Sequence, residues 1–309
     1  MTFRVTILGS GSALPMQGRH HSAHVLNVHE QFYLIDCGEG TQSRLVQYGV
    51  NPLKLNAVFI THLHGDHLYG IFPLISTMGL MGRGTPLHVF APAPLGELMA
   101  SFDRLTGERP PFEILYHDVD TRTNTMLFEN KVMEICTIPL RHRIPSTGYL
   151  FREKQPALNV RKDKIEFYKL GVAQIVAAKR REDIILDDGR LIPNAKITYT
   201  PYSPRSYAYC SDTQKSGKVE SLVKGVDLLY HEATFAAADK DLAKQTGHTT
   251  SVQAAEIALR AGIGRLLLGH FSGRYKDPSQ LVAEAREIFP ETYEAVEGES
   301  FEIKPKKNA

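Results

Sequence analysis

The sequence predicts an α/β protein in which two similar halves, each a sheet backed by helices, lie on either side of a basic inserted segment. Three observations support this. Short apolar strands alternate with helical stretches on both sides of residue 152, polar metal-ligating residues follow directly on several of those strands, and residues 152–200 differ in composition from their surroundings. The length of 309 residues suits one large domain, 1–309, with an embedded excursion, and is short for two independent catalytic domains. Hydrophobic residues at 42% and charged ones at 23% are the values of a soluble globular chain, which excludes a disordered, collagen-like or coiled-coil one.

The first third reads as strands punctuated by glycine loops at Phe3–Leu8, Ala23–Val28, Phe32–Ile35 and Ala57–Ile60, with a helix near Gln42–Tyr48. From Leu68 the units alternate: a helix, a strand at Leu87–Phe90, a helix around Leu95–Leu105, then strands around Val132–Ile138 and Thr147–Phe151. After Ser203 the alternation resumes with a strand at Ser206–Cys210, a helix near Val219–Val223 and a buried strand at Val226–Tyr230. A helix at Ser251–Arg260, a strand at Arg265–Leu268 and a helix near Leu281–Ile288 complete it. Residues 152–200 carry eleven Lys and Arg against seven Asp and Glu, a net +4, so the rest of the chain is net −2.

The whole chain balances 36 lysines and arginines against 34 acids, so any nucleic-acid signal must be local. Cys37, Cys136 and Cys210 are far apart and form no CxxC pair, which argues against a disulfide framework or a cysteine zinc site and fits a reducing, cytoplasmic compartment. The opening Thr2–Leu8 alternates like a strand and lacks the features of a secretory signal, so no export is expected. The most apolar long stretch, Leu68–Met81, is broken by Gly70, Pro73 and Gly79 and is too short for a bilayer, so no membrane association is expected.

Thirteen histidines are more than a core needs, and their placement carries the chemistry. Thr61-His62-Leu63-His64-Gly65-Asp66-His67 follows directly on an apolar strand. Imidazole nitrogens and carboxylate oxygens are the ligands that borderline-soft divalent ions such as Zn²⁺ prefer. A lone histidine at a strand end is usually a hydrogen-bonded or surface residue, but three with an aspartate inside 62–67 read as a metal cluster. His62 and His64 share one direction, and Gly65 is expected to turn the backbone so that Asp66 and His67 face a second position. His142, Asp212 and His270 each stand just past an apolar strand, where ligands gather in α/β sheets. Taken singly, His142 beside Arg141 and Arg143 reads as a surface residue and Asp212 as a turn or helix cap. Gly9-Ser10-Gly11 is followed by Pro15 where a dinucleotide loop needs a helix, so its expected use is close packing beside the metal loop.

These motifs resemble the metallo-β-lactamase superfamily and, within it, the ribonuclease Z family of tRNA 3′-processing endonucleases, over nearly the whole chain. The stretches Leu8–Pro15, Ile35–Gln42, Phe59–His67, His231-Glu232-Ala233-Thr234 and Gly269–Tyr275 carry the resemblance. It implies an αββα sandwich with a protruding exosite arm at 152–200. It implies two zinc ions per subunit, one on His62, His64 and His142, the other on Asp66, His67 and His270, with Asp212 bridging. Two such ions share a water, lower its pKa toward neutrality and clamp both attacking and leaving oxygens, so a bridging hydroxide is the implied nucleophile. Asp66 is implied to orient that hydroxide or accept its proton. His248, in Gly247-His248-Thr249-Thr250, matches the second catalytic histidine, and Glu232 is its expected partner, raising its pKa. On the bland reading, His248 merely precedes a helix.

The resemblance further implies that precursor tRNA is cut to leave a 3′-hydroxyl on the tRNA and a 5′-phosphate on the trailer. The arm of one subunit would serve the site of its partner in a homodimer. Arg161-Lys162-x-Lys164 and Lys179-Arg180-Arg181 are expected to neutralise phosphates without reading sequence, the alternative being a solvated surface hairpin. Two features depart from the family pattern: Gln17 stands for the lysine of the loop that ends at Arg19, and Leu170-Gly171-Val172 stands where a Gly-Pro pair marks the arm tip. Two rival readings remain, a hydrolase of small phosphodiesters or sulfate esters on the same fold, and a non-catalytic RNA-binding module with a structural metal cluster.

Overall fold

The computed structural model describes residues 1–107 and 109–306. Its first sheet takes β1 (Phe3–Gly9), β2 (Ala23–Val28), β3 (Gln31–Ile35), β4 (Leu55–Phe59), β5 (Leu87–Ala91) and β6 (Ile114–Asp118). Its second sheet begins with β7 (Met126–Glu129), β8 (Met133–Pro139) and β9 (Thr147–Glu153). Four two-residue strands follow in the inserted segment: β10 (Asn159–Val160), β11 (Ile184–Ile185), β12 (Leu191–Ile192) and β13 (Thr198–Tyr199). The second sheet then resumes with β14 (Ser206–Cys210), β15 (Leu228–Glu232), β16 (Arg265–Gly269) and β17 (Thr292–Glu294), and β18 (Ser300–Glu302) returns to the first. The strand orders are β18-β1-β2-β3-β4-β5-β6 and β17-β16-β15-β14-β9-β8-β7.

Apolar side chains from both sheets, among them Val5, Tyr33, Phe59, Tyr149, Phe151 and Tyr230, fill the space between them. The outer face of the first sheet is covered by Leu45, Leu74, Met78 and Met99 from helices Thr41–Gln47, Ile71–Leu80 and Pro94–Thr106. Val219, Ile257 and Leu281 from helices Gly217–Leu222, Ser251–Ala261 and Ser279–Arg286 cover the second. The result is the expected αββα sandwich. Helix Ser251–Ala261 shows why the boundaries fall where they do: Thr250 accepts from the Gln253 amide, the Gln253 side chain accepts from the Thr250 amide, and Gly262 ends the helix in the left-handed conformation.

In each sheet a run of parallel strands, β3-β4-β5-β6 and β14-β15-β16-β17, lies beside antiparallel ones. The carboxyl ends of the parallel runs hold the His62–His67 loop, Asp212 and His270, whereas His142 follows β8, which is antiparallel to both its neighbours. The strand expected at Val226–Tyr230 runs instead over Leu228–Glu232, because Val226 and Asp227 form the turn into it, with Asp227 accepting from the Ser206 amide.

The inserted segment is more than a surface hairpin. Helices Lys162–Tyr168 and Val172–Lys179 pack with the short strands around Val160, Leu170, Ala178, Ile184 and Ile197, a small core of their own. It leaves from β9 and returns to β14, which pair directly, Arg152 opposite Ser206. At that neck the buried Arg205 guanidinium donates to both oxygens of Glu153 at 2.6 and 2.9 Å and to the backbone carbonyls of Met1 and Ile303.

Candidate active site

Seven sequence-predicted ligands converge. His62, His64, His142 and Asp212 form one group, and Asp66, His67 and His270 another, each offering one ligand atom within 4.8 Å of the rest of its group. His62 Nε2 lies 3.0 Å from His64 Nδ1 and 3.6 Å from Asp212 Oδ2, which is also 3.6 Å from His142 Nε2. On the other side Asp212 Oδ1 lies 3.2 Å from His67 Nε2 and 3.0 Å from His270 Nε2. Asp66 Oδ2 stands 3.4 Å from both of those nitrogens. The two oxygens of Asp212 therefore face different groups.

The local backbone explains the convergence. Asp36 and His270 follow strands directly, Asp212 stands two residues past Cys210 at the end of β14, and Asp36, His270 and Asp212 have φ of 57°, 55° and 43° respectively. This left-handed conformation costs a side chain about 1–2 kcal/mol and turns the chain sharply at the strand end. Asp66 and His67 sit on a single helical turn, Gly65–Leu68. The backbone passes from extended at His64 into this helical turn at Gly65, and a Cβ on Gly65 would come within 2.4 Å of the exposed Tyr69 ring. The packing beside the metal loop comes from Gly38 and Gly70 rather than Gly9. A Cβ on Gly38 would stand 2.6 Å from the Asp66 carbonyl oxygen and one on Gly70 2.0 Å from the Gly38 oxygen, whereas Gly9 abuts the His21 carbonyl.

Hydrogen bonds assign the histidine tautomers. His142 Nδ1 donates to the Gly247 carbonyl and His67 Nδ1 to the Asp36 carboxylate, at 2.9 and 2.7 Å. The Thr61 hydroxyl donates to Asp36, so it accepts from His62 Nδ1; the Thr234 hydroxyl donates to Glu232, so it accepts from His270 Nδ1. Each of these four histidines thus turns Nε2 toward the cluster, the arrangement outer partners impose on metal-bound imidazoles. His142 Nε2 is buried with no hydrogen-bond partner. Separations of 3.0–3.6 Å bracket the edge of a tetrahedron with bonds of about 2.05 Å, roughly 3.3 Å, so the donor set fits zinc.

The electrostatics agree. Asp36, Asp66, Asp212 and Glu232 are all buried, and among the described residues none pairs with a lysine or arginine. Such a pocket attracts cations. Burial, aided by neighbouring imidazoles, holds His62, His64 and His142 below the ordinary range and therefore neutral. Burial would raise Asp212 and Asp66, but the surrounding histidines hold both well below the usual carboxylate range. Burial pulls His67 down, yet the carboxylates of Asp36, Asp212 and Asp66 push it well above its usual value, which shows how strongly these acids favour positive charge at this place.

The remaining two sequence candidates lie beside the cluster. His248 Nδ1 donates to Glu232 Oε1 at 2.9 Å, and its ring stacks 5.5 Å from that of His270. Burial lowers His248, but Glu232 overrides it and brings the imidazole to about 9. Arg19 lies over the ring of Phe271, the neighbour of His270, and pairs with Glu294 at 3.5 Å. Sequence reasoning assigned no role to Asp36, Thr61 or Thr234. Asp36 carried the same kind of signal that found Asp212, a carboxylate just past an apolar strand.

Ribonuclease Z from Bacteroides thetaiotaomicron is 43% identical over 290 residues, covering 94% of this chain and 92% of the relative. The chain belongs to the ribonuclease Z family of tRNA 3′-processing endoribonucleases. Ribonuclease Z from Porphyromonas gingivalis strain W83 is also 43% identical, covering 96% of this chain and 97% of that protein. The crystal structure of human tRNase Z, short form, superposes with a TM-score of 0.70 at 27% identity, covering 96% and 98% of the two chains. The metallo-β-lactamase fold protein YhfI from Bacillus subtilis, at 22% identity and a TM-score of 0.68 over 98% and 100%, shares the fold. A family model for the anti-Pycsar protein Apyc1 matches residues 3–154. That match ends at the inserted segment, short of the ribonuclease Z strands that present Asp212, Glu232 and His270.

Proposed function

We propose that this ribonuclease Z removes 3′ trailers from precursor tRNA with two zinc ions, one held by His62, His64, His142 and Asp212, the other by Asp66, His67, His270 and Asp212. The observation that carries the proposal is that the two oxygens of Asp212 face separate ligand groups. Bound zinc supplies Lewis acidity and a water activated near neutral pH.

The protein's own groups complete the hydrolysis. Asp66 orients the attacking water and takes its proton. Water oxygen bonds to phosphorus as the P–O3′ bond breaks, and His248, charged through Glu232, gives its Nε2 proton to the departing O3′. The products are a tRNA 3′-hydroxyl and a trailer 5′-phosphate.

The inserted segment is the tRNA-gripping arm. The side chains of Arg161, Lys162, Lys179, Arg180 and Arg181 are exposed on it, placed to neutralise phosphates. A homodimer in which each arm serves the partner's site, working in the cytoplasm, completes the reading; no helix among the described residues is long and apolar enough to cross a membrane. The test is metal analysis of the purified protein with incubation on one precursor tRNA, mapping the cut. Two zinc ions and a single cut leaving a 3′-hydroxyl are expected; a metal-free protein that cuts equally well overturns the proposal.

A further inference from the structure

We propose that Tyr209 is a positioning residue of the active site, its hydroxyl fixing His67 through Asp36. The inference rests on the two-zinc reading. Four donors face the Asp36 carboxylate: the Thr61 amide and hydroxyl donate to Oδ1 at 2.8 and 2.9 Å, the hydroxyl also lying 3.1 Å from Oδ2, and His67 Nδ1 and the Tyr209 hydroxyl donate to Oδ2 at 2.7 and 2.9 Å. Thr61 and His67 belong to the same loop as the ligands they support. Among the described residues, Tyr209 alone donates to Asp36 from the second sheet.

That sheet also carries Asp212 and His270, so the Tyr209 hydroxyl ties the His67 half of the site to the strand that delivers Asp212 three residues later. The tyrosine is itself held rigidly. Tyr149, Tyr209 and Tyr230 are cross-strand neighbours on β9, β14 and β15, and all three point into the layer between the sheets. Tyr209 stacks on Tyr230 at 4.6 Å and 8°, and His24 packs edge-on 4.9 Å away. Tyr149 makes the parallel connection, donating to the Ile60 carbonyl just before the ligand loop. The third member of the row, Tyr230, lies with its hydroxyl against Gly269 and the His270 backbone, so all three side chains of the row reach segments that carry ligands.

Tyr209→Phe removes only the oxygen. Zinc affinity measured by chelator competition, and the visible spectrum of the cobalt-substituted protein, read the site independently of activity. The expected result is one ion bound as in the native protein and the other weakened by on the order of 10–100-fold, the usual effect of losing an outer hydrogen-bond partner. The cobalt bands should change, and kcat should fall at limiting zinc and recover in excess zinc. A Tyr209→Phe protein with the native zinc affinities and cobalt spectrum would overturn the proposal, even if it were less stable in chelator. A native protein that binds no zinc would instead sink the two-zinc reading beneath it.

Discussion

His248 donates from Nδ1 to Oε1 of a wholly buried Glu232, at 2.9 Å. Burial opposes the charge on His248, and the carboxylate reverses that, taking the imidazole from 6.5 to about 9. Because the folded pKa is raised, the stabilisation is fully present below pH 6.5 and is lost as pH rises through about 9. Thermal melts of chelator-treated protein should fall across that window, and the fall should be smaller in His248→Ala, the remainder coming from His67, which its carboxylates also raise.

The same pair governs the basic limb of kcat/KM. Glu232→Gln should move that limb to lower pH, and His248→Ala should cost on the order of 10²–10⁴-fold with the limb abolished. A His248→Ala profile that keeps the native basic limb would remove the acid role.

Asp212 is shared, so Asp212→Ala should lose both zinc ions, whereas His142→Ala should chiefly weaken the first. Asp66→Ala should lower turnover by on the order of 10²–10⁴-fold, since it removes a ligand and the proton acceptor together. Metal content and turnover on precursor tRNA check all three; an undiminished Asp66→Ala enzyme would contradict the mechanism.

Asn159 and Tyr199 are paired on β10 and β13, so replacing residues 159–199 with a two-glycine link preserves the neck and its Glu153–Arg205 pair. The shortened protein should cut a small aryl phosphodiester normally and lose precursor tRNA cleavage. The native enzyme's KM for precursor tRNA should rise steeply with salt, roughly in proportion to the phosphates neutralised. Equal loss of both substrates in a folded protein would favour a small-molecule hydrolase.

Gly70→Ala would drive a Cβ to 2.0 Å from the Gly38 oxygen, whereas a Cβ on Gly84 meets nothing within 4 Å. Urea titration should show Gly70→Ala destabilised by about 1–3 kcal/mol and Gly84→Ala unchanged.

Much of the site was legible because each ligand sits just past an apolar strand, a local pattern. His62 to His67 announce themselves by density, and Asp212 and His270 by position. Asp36 obeys the same rule yet was passed over, because a single aspartate after a strand is also an ordinary turn residue. The edge strands β6 and β7 went unread: their side chains are only half buried or exposed, so the apolar alternation that marks a strand is blurred. The inserted segment's helices were missed for the same reason, since a small core buries few residues on each helix.

The sequence by itself determined which residue types could bind metal, that the fold layers sheets with helices, and that residues 152–200 carry a net basic charge against a net acidic remainder. These depend on chemistry and period along the chain. Tertiary structure alone decided the distances by which Asp212 divides its oxygens between two groups and that Tyr209 meets Asp36. Tyr209 and Asp36 are 173 positions apart and stand on different sheets, so only the packing of one sheet on the other brings them together.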